Sequence, residues 1–321
     1  MIKTSDNNPI VTSSSPAISP NNVVINVDAL IPPEMAAKAE EVGVKKAGMG
    51  WRTMFALAVL AGAFIALGAI FATTVSAGSI SVNDAGGALI YRTGLPYGVV
   101  RLLAGLVFSL GLILVVVAGA ELFTGNNLIV MAWADGRVSS GQLLRNWTIV
   151  YAGNFAGSIA TAGLMFYTQQ YTFGNGAIGL AALTIANGKT GLGFVQAIAL
   201  GIMCNALVCL AVWLCFGARS TVDKILAIIF PISAFVAAGF EHSIANMYFI
   251  PIGLFIKAGA PVSFWETIGK TAADYATLTW SNFFIANLLP VTIGNIIGGS
   301  VMVGLVYWFV YIRKGRIAGA R

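Results

Sequence analysis

Six long apolar stretches alternate with short polar segments along the chain. They cover residues 52–76, 98–134, 146–168, 192–216, 225–257 and 282–312. A run of ~20 apolar residues matches the hydrocarbon thickness of a bilayer at the rise of an α-helix, whereas membrane-spanning strands are about half as long and alternate in polarity. The pattern therefore predicts an all-α membrane protein with six spanning helices.

The second and fifth stretches look too long for one straight crossing, and each has polar residues at its centre. The fifth contains Glu241 and His242, the only histidine of the chain, and the second contains Glu121 and Thr124. Ionisable groups at bilayer depth are costly, and they usually face a bundle interior or a water-filled path. We interpret the two interruptions as parts of one functional site.

The two interruptions share a sequence pattern, which is Gly, any residue, Glu, four residues and Asn. It begins at Gly119 and again at Gly239. The spans that follow both carry Gly-Asn-x-x-Gly, at residues 153–157 and 294–298. Because each copy contains three spans, an odd number, the second copy must enter the membrane upside down, as an inverted repeat.

In inverted repeats of this kind, interrupted helices from both halves meet near the bilayer midplane and line the substrate site. The N-terminal ends of half-helices favour anions. We therefore expect a small, anionic substrate, while simple kinks relieved by neighbouring helices are the alternative. The residues assigned to support of the breaks are Glu121, Asn154, Asn246 and Asn295.

Composition and charge agree with a membrane protein. The chain is 58% hydrophobic and 9% charged, far from the roughly one quarter of charged residues in soluble proteins. Its net charge of +6 comes from basic residues beside the spans, which argues against nucleic-acid binding. Cys204, Cys209 and Cys215 share one span without metal-ligand spacing, so we expect inert thiols and no metal or cofactor.

The charge pattern also predicts the domain limits and the orientation. Residues 1–32 are expected to form a disordered tail, 33–50 an amphipathic surface helix or a soluble linker, 51–313 the channel domain and 314–321 a basic tail. Twelve Lys and Arg residues near span ends fall on the side of the termini and five on the other side. Both termini are therefore expected in the cytoplasm.

His242 is the candidate for substrate chemistry, because an ordinary imidazole pKa of about 6.5 allows it to exchange a proton at physiological pH. Two mechanisms remain open: a protonated His242 stabilises a passing anion, or His242 passes a proton to the anion of a weak acid, which then crosses uncharged. Thr124 and Asn205 are candidate hydrogen-bonding partners. Lys189, the only charge in the connection formed by residues 169–190, is expected to attract anions to the mouth, unless it is an ordinary solvated lysine.

Glu121 and Glu241 occupy matched positions. We expect each carboxylate to accept hydrogen bonds from backbone N–H groups at its own break, with a proton relay as the alternative. Large apolar side chains lie one or two turns from the breaks and are candidates for constrictions. They are Phe108, Leu112, Leu122 and Phe235.

Three segments resemble the signatures of the formate/nitrite transporter family, most nearly its formate channel branch. They are AGAELFT at 118–124, GFEHSIANM at 239–247 and PVTIGNIIGG at 290–299. The resemblance runs from about Ala36 to Arg313. It implies an aquaporin-like protomer with interrupted second and fifth helices, assembled as a homopentamer in the bacterial inner membrane with one pore per protomer.

The resemblance also implies residue roles. His242 corresponds to the central pore histidine, Thr124 to its partner and Asn205 to a nearby polar residue, while Lys189 matches a vestibule lysine. Val208 joins the four apolar residues above as a constriction residue. Members of the family move formate, nitrite or hydrosulfide, and proton coupling has been proposed for the histidine.

The sequence therefore predicts passage of small monovalent anions, with formate the leading substrate and nitrite or hydrosulfide the alternatives. A neutral-solute pore of the aquaporin type would have Asn-Pro-Ala in both half-helices, and neither break contains it. A membrane-bound haem enzyme would need paired histidines, and no nucleophile pattern accompanies His242, so we do not expect an enzyme.

Overall fold

The computed structural model describes residues 28–77, 80–83 and 89–313. Among these, six helices are long and apolar enough to cross a membrane. They are span 1 (Trp51–Ser76), span 2 (Tyr97–Gly119), span 3 (Ser140–Tyr167), span 4 (Phe194–Gly217), span 5 (Thr221–Ala238) and span 6 (within Ala272–Ile312). The predicted all-α, six-span membrane architecture is confirmed.

Spans 2 and 5 are both interrupted, as predicted. After a short break, span 2 continues as a half-helix over residues 123–134, and span 5 continues as the half-helix Ser243–Gly259. Gly119 and Gly239 end the first parts with φ of +83° and +77°, in the left-handed conformation that glycine adopts without strain. The glycine that opens each copy of the pattern is therefore the point at which the helix stops.

The two halves of the chain repeat the same order of elements. Each has a surface helix, an unbroken span, an interrupted span and a third span. The surface helices are Pro32–Ala47, before span 1, and Ala177–Thr190, before span 4. Three crossings per half give the second half the opposite orientation, so the repeat is inverted.

Close glycine contacts join the spans within each half. A Cβ atom on Gly157 of span 3 would lie 2.0 Å from the carbonyl oxygen of Val59 in span 1. A Cβ atom on Gly298 of span 6 would lie 2.1 Å from the carbonyl oxygen of Ile202 in span 4. The repeated Gly-Asn-x-x-Gly pattern thus permits backbones to touch where a larger residue would hold them apart.

The connection formed by residues 169–190 contains a helix that the hydropathy pattern does not predict. The helix Ala177–Thr190 occupies its second part. A helix of 14 residues is too short to cross a bilayer, so hydropathy averaged over a span does not detect it.

The remaining elements are short. The strands Ile80–Asn83 and Leu89–Thr93 pair antiparallel between spans 1 and 2. The helix Val262–Ile268 is bent by 113° from Ser243–Gly259. Span 6 begins at Trp280 and contains several π-helical turns. Residues 1–27 and 314–321 lie outside the described residues, and so does most of what was predicted for the tails.

The surface helix Pro32–Ala47 packs against the inner structure of the protein. Its residues Met35, Ala36 and Ala39 share an apolar cluster with Leu128 of the first half-helix and with Trp213 of span 4. An apolar face in contact with two elements of the membrane domain is typical of a docked helix and not of a free linker.

Candidate functional site

The site is built around a contact between the two interruptions. Thr124, in the first turn after the break in span 2, places Oγ1 2.9 Å from Nε2 of His242, which precedes the half-helix Ser243–Gly259. Both side chains are buried. The contact joins the N-terminal ends of the two half-helices, which is where the inverted repeat predicts that they meet.

A second hydrogen bond determines which nitrogen of His242 carries the proton. Nδ1 accepts the backbone N–H of Ala245 at 3.0 Å, so the imidazole caps its own half-helix. An acceptor Nδ1 leaves the proton of a neutral imidazole on Nε2. His242 therefore donates to Thr124, and the Thr124 hydroxyl keeps its own hydrogen for another acceptor.

Two cavities approach this contact from opposite ends of the protomer. The first, which we call the lysine cavity, has a volume of about 470 Å³ and reaches Leu112 and Leu122. The second, which we call the histidine cavity, has a volume of about 320 Å³ and reaches Phe108, Phe235 and His242. Within the part of the chain that the structure describes, the two linings share no residue. A thin barrier of protein therefore separates the two cavities.

The barrier is about one helical turn thick. Phe108 and Leu112 lie four positions apart on span 2, which corresponds to a rise of about 6 Å, yet Phe108 lines the histidine cavity and Leu112 the lysine cavity. The Phe235 ring packs against Phe108 at 5.6 Å and against the imidazole of His242 at 5.9 Å. Of the predicted constriction residues, Phe108 and Phe235 thus line the histidine cavity, and Leu112 and Leu122 line the lysine cavity.

Asn154 and Asn295 hold the backbone at the two breaks. Asn154 Oδ1 accepts the N–H of Phe123, and its Nδ2 donates to the carbonyl of Glu121. Asn295 makes the equivalent bonds to the N–H of Ser243 and the carbonyl of Glu241. These amides satisfy backbone groups that the interruptions leave unpaired.

The two carboxylates have different partners from those expected. Glu121 accepts from Lys46 Nζ at 2.6 Å and from Asn126 Nδ2 at 2.7 Å, not from backbone N–H groups at its break. At each break, one of those N–H groups already donates to Asn154 or Asn295, and the N–H of the glutamate donates to a backbone carbonyl. A buried carboxylate requires a cation more than it requires further amides, which explains why lysines occupy these positions.

Glu241 repeats this arrangement in the second half. It accepts from Lys189 Nζ at 2.7 Å, and its second oxygen accepts from Asn246 Nδ2 at 2.7 Å. Lys189 also lies 5.4 Å from the ring of Phe249 and lines the histidine cavity. It is therefore an ion-paired residue of the cavity wall and not a freely solvated loop lysine.

The match to known proteins covers nearly the whole of this structure. The model of the formate/nitrite transporter family matches residues 33–309. The chain belongs to the formate/nitrite transporter family. This confirms the resemblance found in the sequence.

Individual relatives of this formate/nitrite transporter are similar along most of their length. The chain is 44% identical to the formate channel FocA of Escherichia coli K12, over 89% of this chain and 96% of that protein. It is 39% identical to the formate channel FocA of Haemophilus influenzae, over 86% of this chain and 93% of that protein. The relatives are channels, so the chain is a transport protein and not an enzyme.

A solved structure shares the fold of the transporter. A pentameric formate channel with formate bound superimposes with a TM-score of 0.73 at 47% identity, over 82% of this chain and 98% of that chain. An ion channel of the same family superimposes with a TM-score of 0.69 at 28% identity, over 86% of this chain and 98% of that chain. The protein is therefore a multi-pass membrane protein with an aquaporin-like protomer.

Three predicted pore residues of this transporter, Thr124, Asn205 and Val208, line neither cavity. Asn205 Nδ2 donates to the carbonyls of Thr124 and Asn295, and to Oδ1 of Asn127. Its amide joins span 4 to both neighbouring elements, and it lines neither cavity. Val208, one turn later, is also buried outside both linings.

Sequence reasoning missed part of the repeat in this transporter. Asn146 and Asn287 accept from Asn126 and Asn246 at 2.9 and 2.7 Å, and each donates to the carbonyl of the lysine in its own half. A signal was present, because each lies eight positions before the Asn of its Gly-Asn-x-x-Gly pattern. Lys46 and Lys189 likewise both lie five positions before the first residue of a span.

Proposed function

We propose that the protein passes formate across the membrane through a pore in each protomer, centred on the contact between His242 and Thr124. The observation that carries this proposal is the position of that contact, at a thin barrier between two cavities of about 470 and 320 Å³. Apolar side chains lie on both sides of the barrier, and the Thr124 hydroxyl beside His242 offers its hydrogen to an anion that enters. A passing formate therefore exchanges part of its hydration for this one hydrogen bond.

The hydrogen-bond directions argue against both mechanisms that the sequence left open. Because Nδ1 of His242 accepts the N–H of Ala245, a second proton on Nδ1 would break the helix cap and place a cation at the positive end of a half-helix. Loss of the proton from the neutral ring would leave an imidazolate, which is far too basic to form at physiological pH. We therefore assign to His242 the role of a neutral donor that orients Thr124, and no proton transfer is needed for passage.

The quaternary structure and orientation complete the proposal. The similar formate channel is pentameric, and the superposition with this chain covers 98% of that channel's chain. This supports a homopentamer with five separate pores. The excess of basic residues on the side of the helix Pro32–Ala47 supports a cytoplasmic position for that side of a bacterial inner membrane. The lysine cavity then opens to the cytoplasm.

An anion flux assay in proteoliposomes tests the function directly. Liposomes loaded with formate, nitrite, hydrosulfide or chloride are diluted into anion-free buffer, and release is compared with that from protein-free liposomes. We expect formate to be released well above the protein-free rate and faster than chloride, because chloride cannot accept a directed hydrogen bond as strongly as a carboxylate. Formate release at the protein-free rate would contradict the proposal.

A further inference from the structure

The two cavities carry very different charge. Four lysines line the lysine cavity against one carboxylate, Glu121. The histidine cavity has only Arg101 and Lys189 as cations, against Glu241. The lysine cavity therefore has a formal excess of three positive charges and the histidine cavity an excess of one. The four lysines are Lys38, Lys45, Lys46 and Lys224.

Two of these lysines are engaged with the protein itself. Lys46 is paired with Glu121, and Lys38 Nζ donates to the carbonyl of Phe216 at 2.9 Å. For Lys45 and Lys224, by contrast, the described residues provide neither an ion pair nor a hydrogen-bond acceptor for Nζ. Two cations without a partner among the described residues thus line the same cavity.

Lys45 is exposed and Lys224 half-buried, so the cost of leaving the two cations without a ligand falls mainly on Lys224. It lies in the first turn of span 5, where the helix dipole disfavours a cation. Its charge adds to those of the other three lysines around one concave surface. An anion that bridges Lys45 and Lys224 would remove this cost, and the cavity volume of about 470 Å³ is within the usual range for a small-molecule site.

We infer that the lysine cavity binds small doubly charged oxyanions, of the class of inorganic phosphate and short dicarboxylates, through Lys45 and Lys224. Such an anion offers several oxygens to ammonium donors. Its desolvation cost rises with the square of its charge, so it does not follow formate past Leu112 and Leu122. A bound dianion therefore occupies the entrance and blocks passage from that side. The blocking step rests on the proposed function, whereas the binding step does not.

Calorimetric titration of inorganic phosphate into the detergent-solubilised full chain tests the binding step. We expect the Lys45→Gln and Lys224→Gln double variant to bind phosphate at least about tenfold more weakly than the wild type, because each ammonium supplies a charge-assisted hydrogen bond. The matched control is the Arg52→Gln and Lys270→Gln double variant, which removes the same charge at exposed positions that line neither cavity.

The control and a charge-retaining variant decide whether the site is specific. The control should keep the wild-type affinity, and the Lys45→Arg and Lys224→Arg double variant should keep binding within about threefold. Equal phosphate affinity of the wild type and the Gln double variant, or an equal loss in the control, would overturn the inference.

Planar-bilayer recordings test the blocking step. Phosphate added on the side of the helix Pro32–Ala47, assigned by protease cleavage of an N-terminal tag, should reduce the formate current, and phosphate on the opposite side should not. Equal block from both sides would overturn the blocking step. Absence of any formate current would contradict the proposed function alone, because calorimetry decides binding independently.

Discussion

Thr124 Oγ1 lies 2.9 Å from His242 Nε2, although 118 positions separate the two residues. This contact is the only described side-chain hydrogen bond between the two half-helices that begin at the breaks. It lies at the barrier between the cavities. Thr124 is in the first turn of one half-helix, and His242 directly precedes the other. A substitution at either position is therefore expected to change passage more than it changes folding.

Replacing His242 with Asn separates its role as the cap of the half-helix Ser243–Gly259 from its role in formate passage. Asn is a good N-cap and can accept the N–H of Ala245, but its side chain is too short to reach Thr124. We expect thermal stability to stay within about 1 kcal/mol of the wild type, while formate flux in proteoliposomes falls at least about tenfold. His242→Asn with wild-type flux would remove the imidazole from the route.

Replacing Lys189 with Met leaves a buried carboxylate without its cation. The side chain of Glu241 is 6% exposed and that of Lys189 16%. Loss of one partner of a buried pair costs ~3–5 kcal/mol, and we expect the lower end of this range because the pair borders a cavity. The Lys189→Met and Glu241→Gln double variant should recover at least half of the lost stability in a detergent melt. Additive losses in the double variant would show that the pair is not coupled.

Replacing Gly298 with Ala tests the close contact between spans 4 and 6. The added Cβ would lie 2.1 Å from the carbonyl oxygen of Ile202, so the spans must separate. We expect a loss of about 3 kcal/mol or more. The control is Gly98→Ala, at an exposed helical position with no neighbouring atom within 4 Å, which should be neutral or slightly stabilising. Similar melting temperatures of the two variants would argue against close packing as the role of the repeated glycines.

Much of the fold follows from the sequence because it depends on local patterns. The spans come from runs of apolar residues, and the breaks come from Gly119 and Gly239, whose conformations glycine alone adopts easily. The inverted order follows from the odd number of spans per copy. These features do not depend on which side chain contacts which.

Partners within the site were harder to predict because they depend on distant contacts. Lys46 and Glu121 are 75 positions apart, and nothing near either residue indicates the ion pair. Asn205 is conspicuous as a polar residue in an apolar span. The pattern does not reveal that its amide joins span 4 to the first half-helix and to span 6. The helix Ala177–Thr190, with 14 residues, is too short to stand out in a hydropathy pattern averaged over a membrane span.

The docking of the surface helix Pro32–Ala47 is expected to depend on pH through Glu40. Burial raises the pKa of the Glu40 carboxyl, and the neighbouring Asp135 adds to this, while Arg137 opposes it. A carboxyl with a higher pKa in the folded than in the unfolded state binds its proton more tightly when folded, so its contribution to stability is lost as the pH rises through the folded pKa.

Thermal melting at different pH values measures whether stability rises or falls with pH through Glu40. Lowering the pH from about 7 to about 5 should raise the stability of the wild type relative to Glu40→Gln, which cannot titrate. The Gln variant should be at least as stable as the wild type at the higher pH. A constant difference between the two proteins across this range would contradict the assignment.

The most direct test of the central claim is formate release from proteoliposomes containing Thr124→Val, compared with Thr124→Ser. Valine matches threonine in shape but lacks the hydroxyl, whereas serine retains it. We predict that Thr124→Val releases formate at least about tenfold more slowly than the wild type and that Thr124→Ser stays within about threefold, with both variants eluting at the wild-type oligomer size. Release by Thr124→Val at the wild-type rate would contradict a route through the Thr124 hydroxyl.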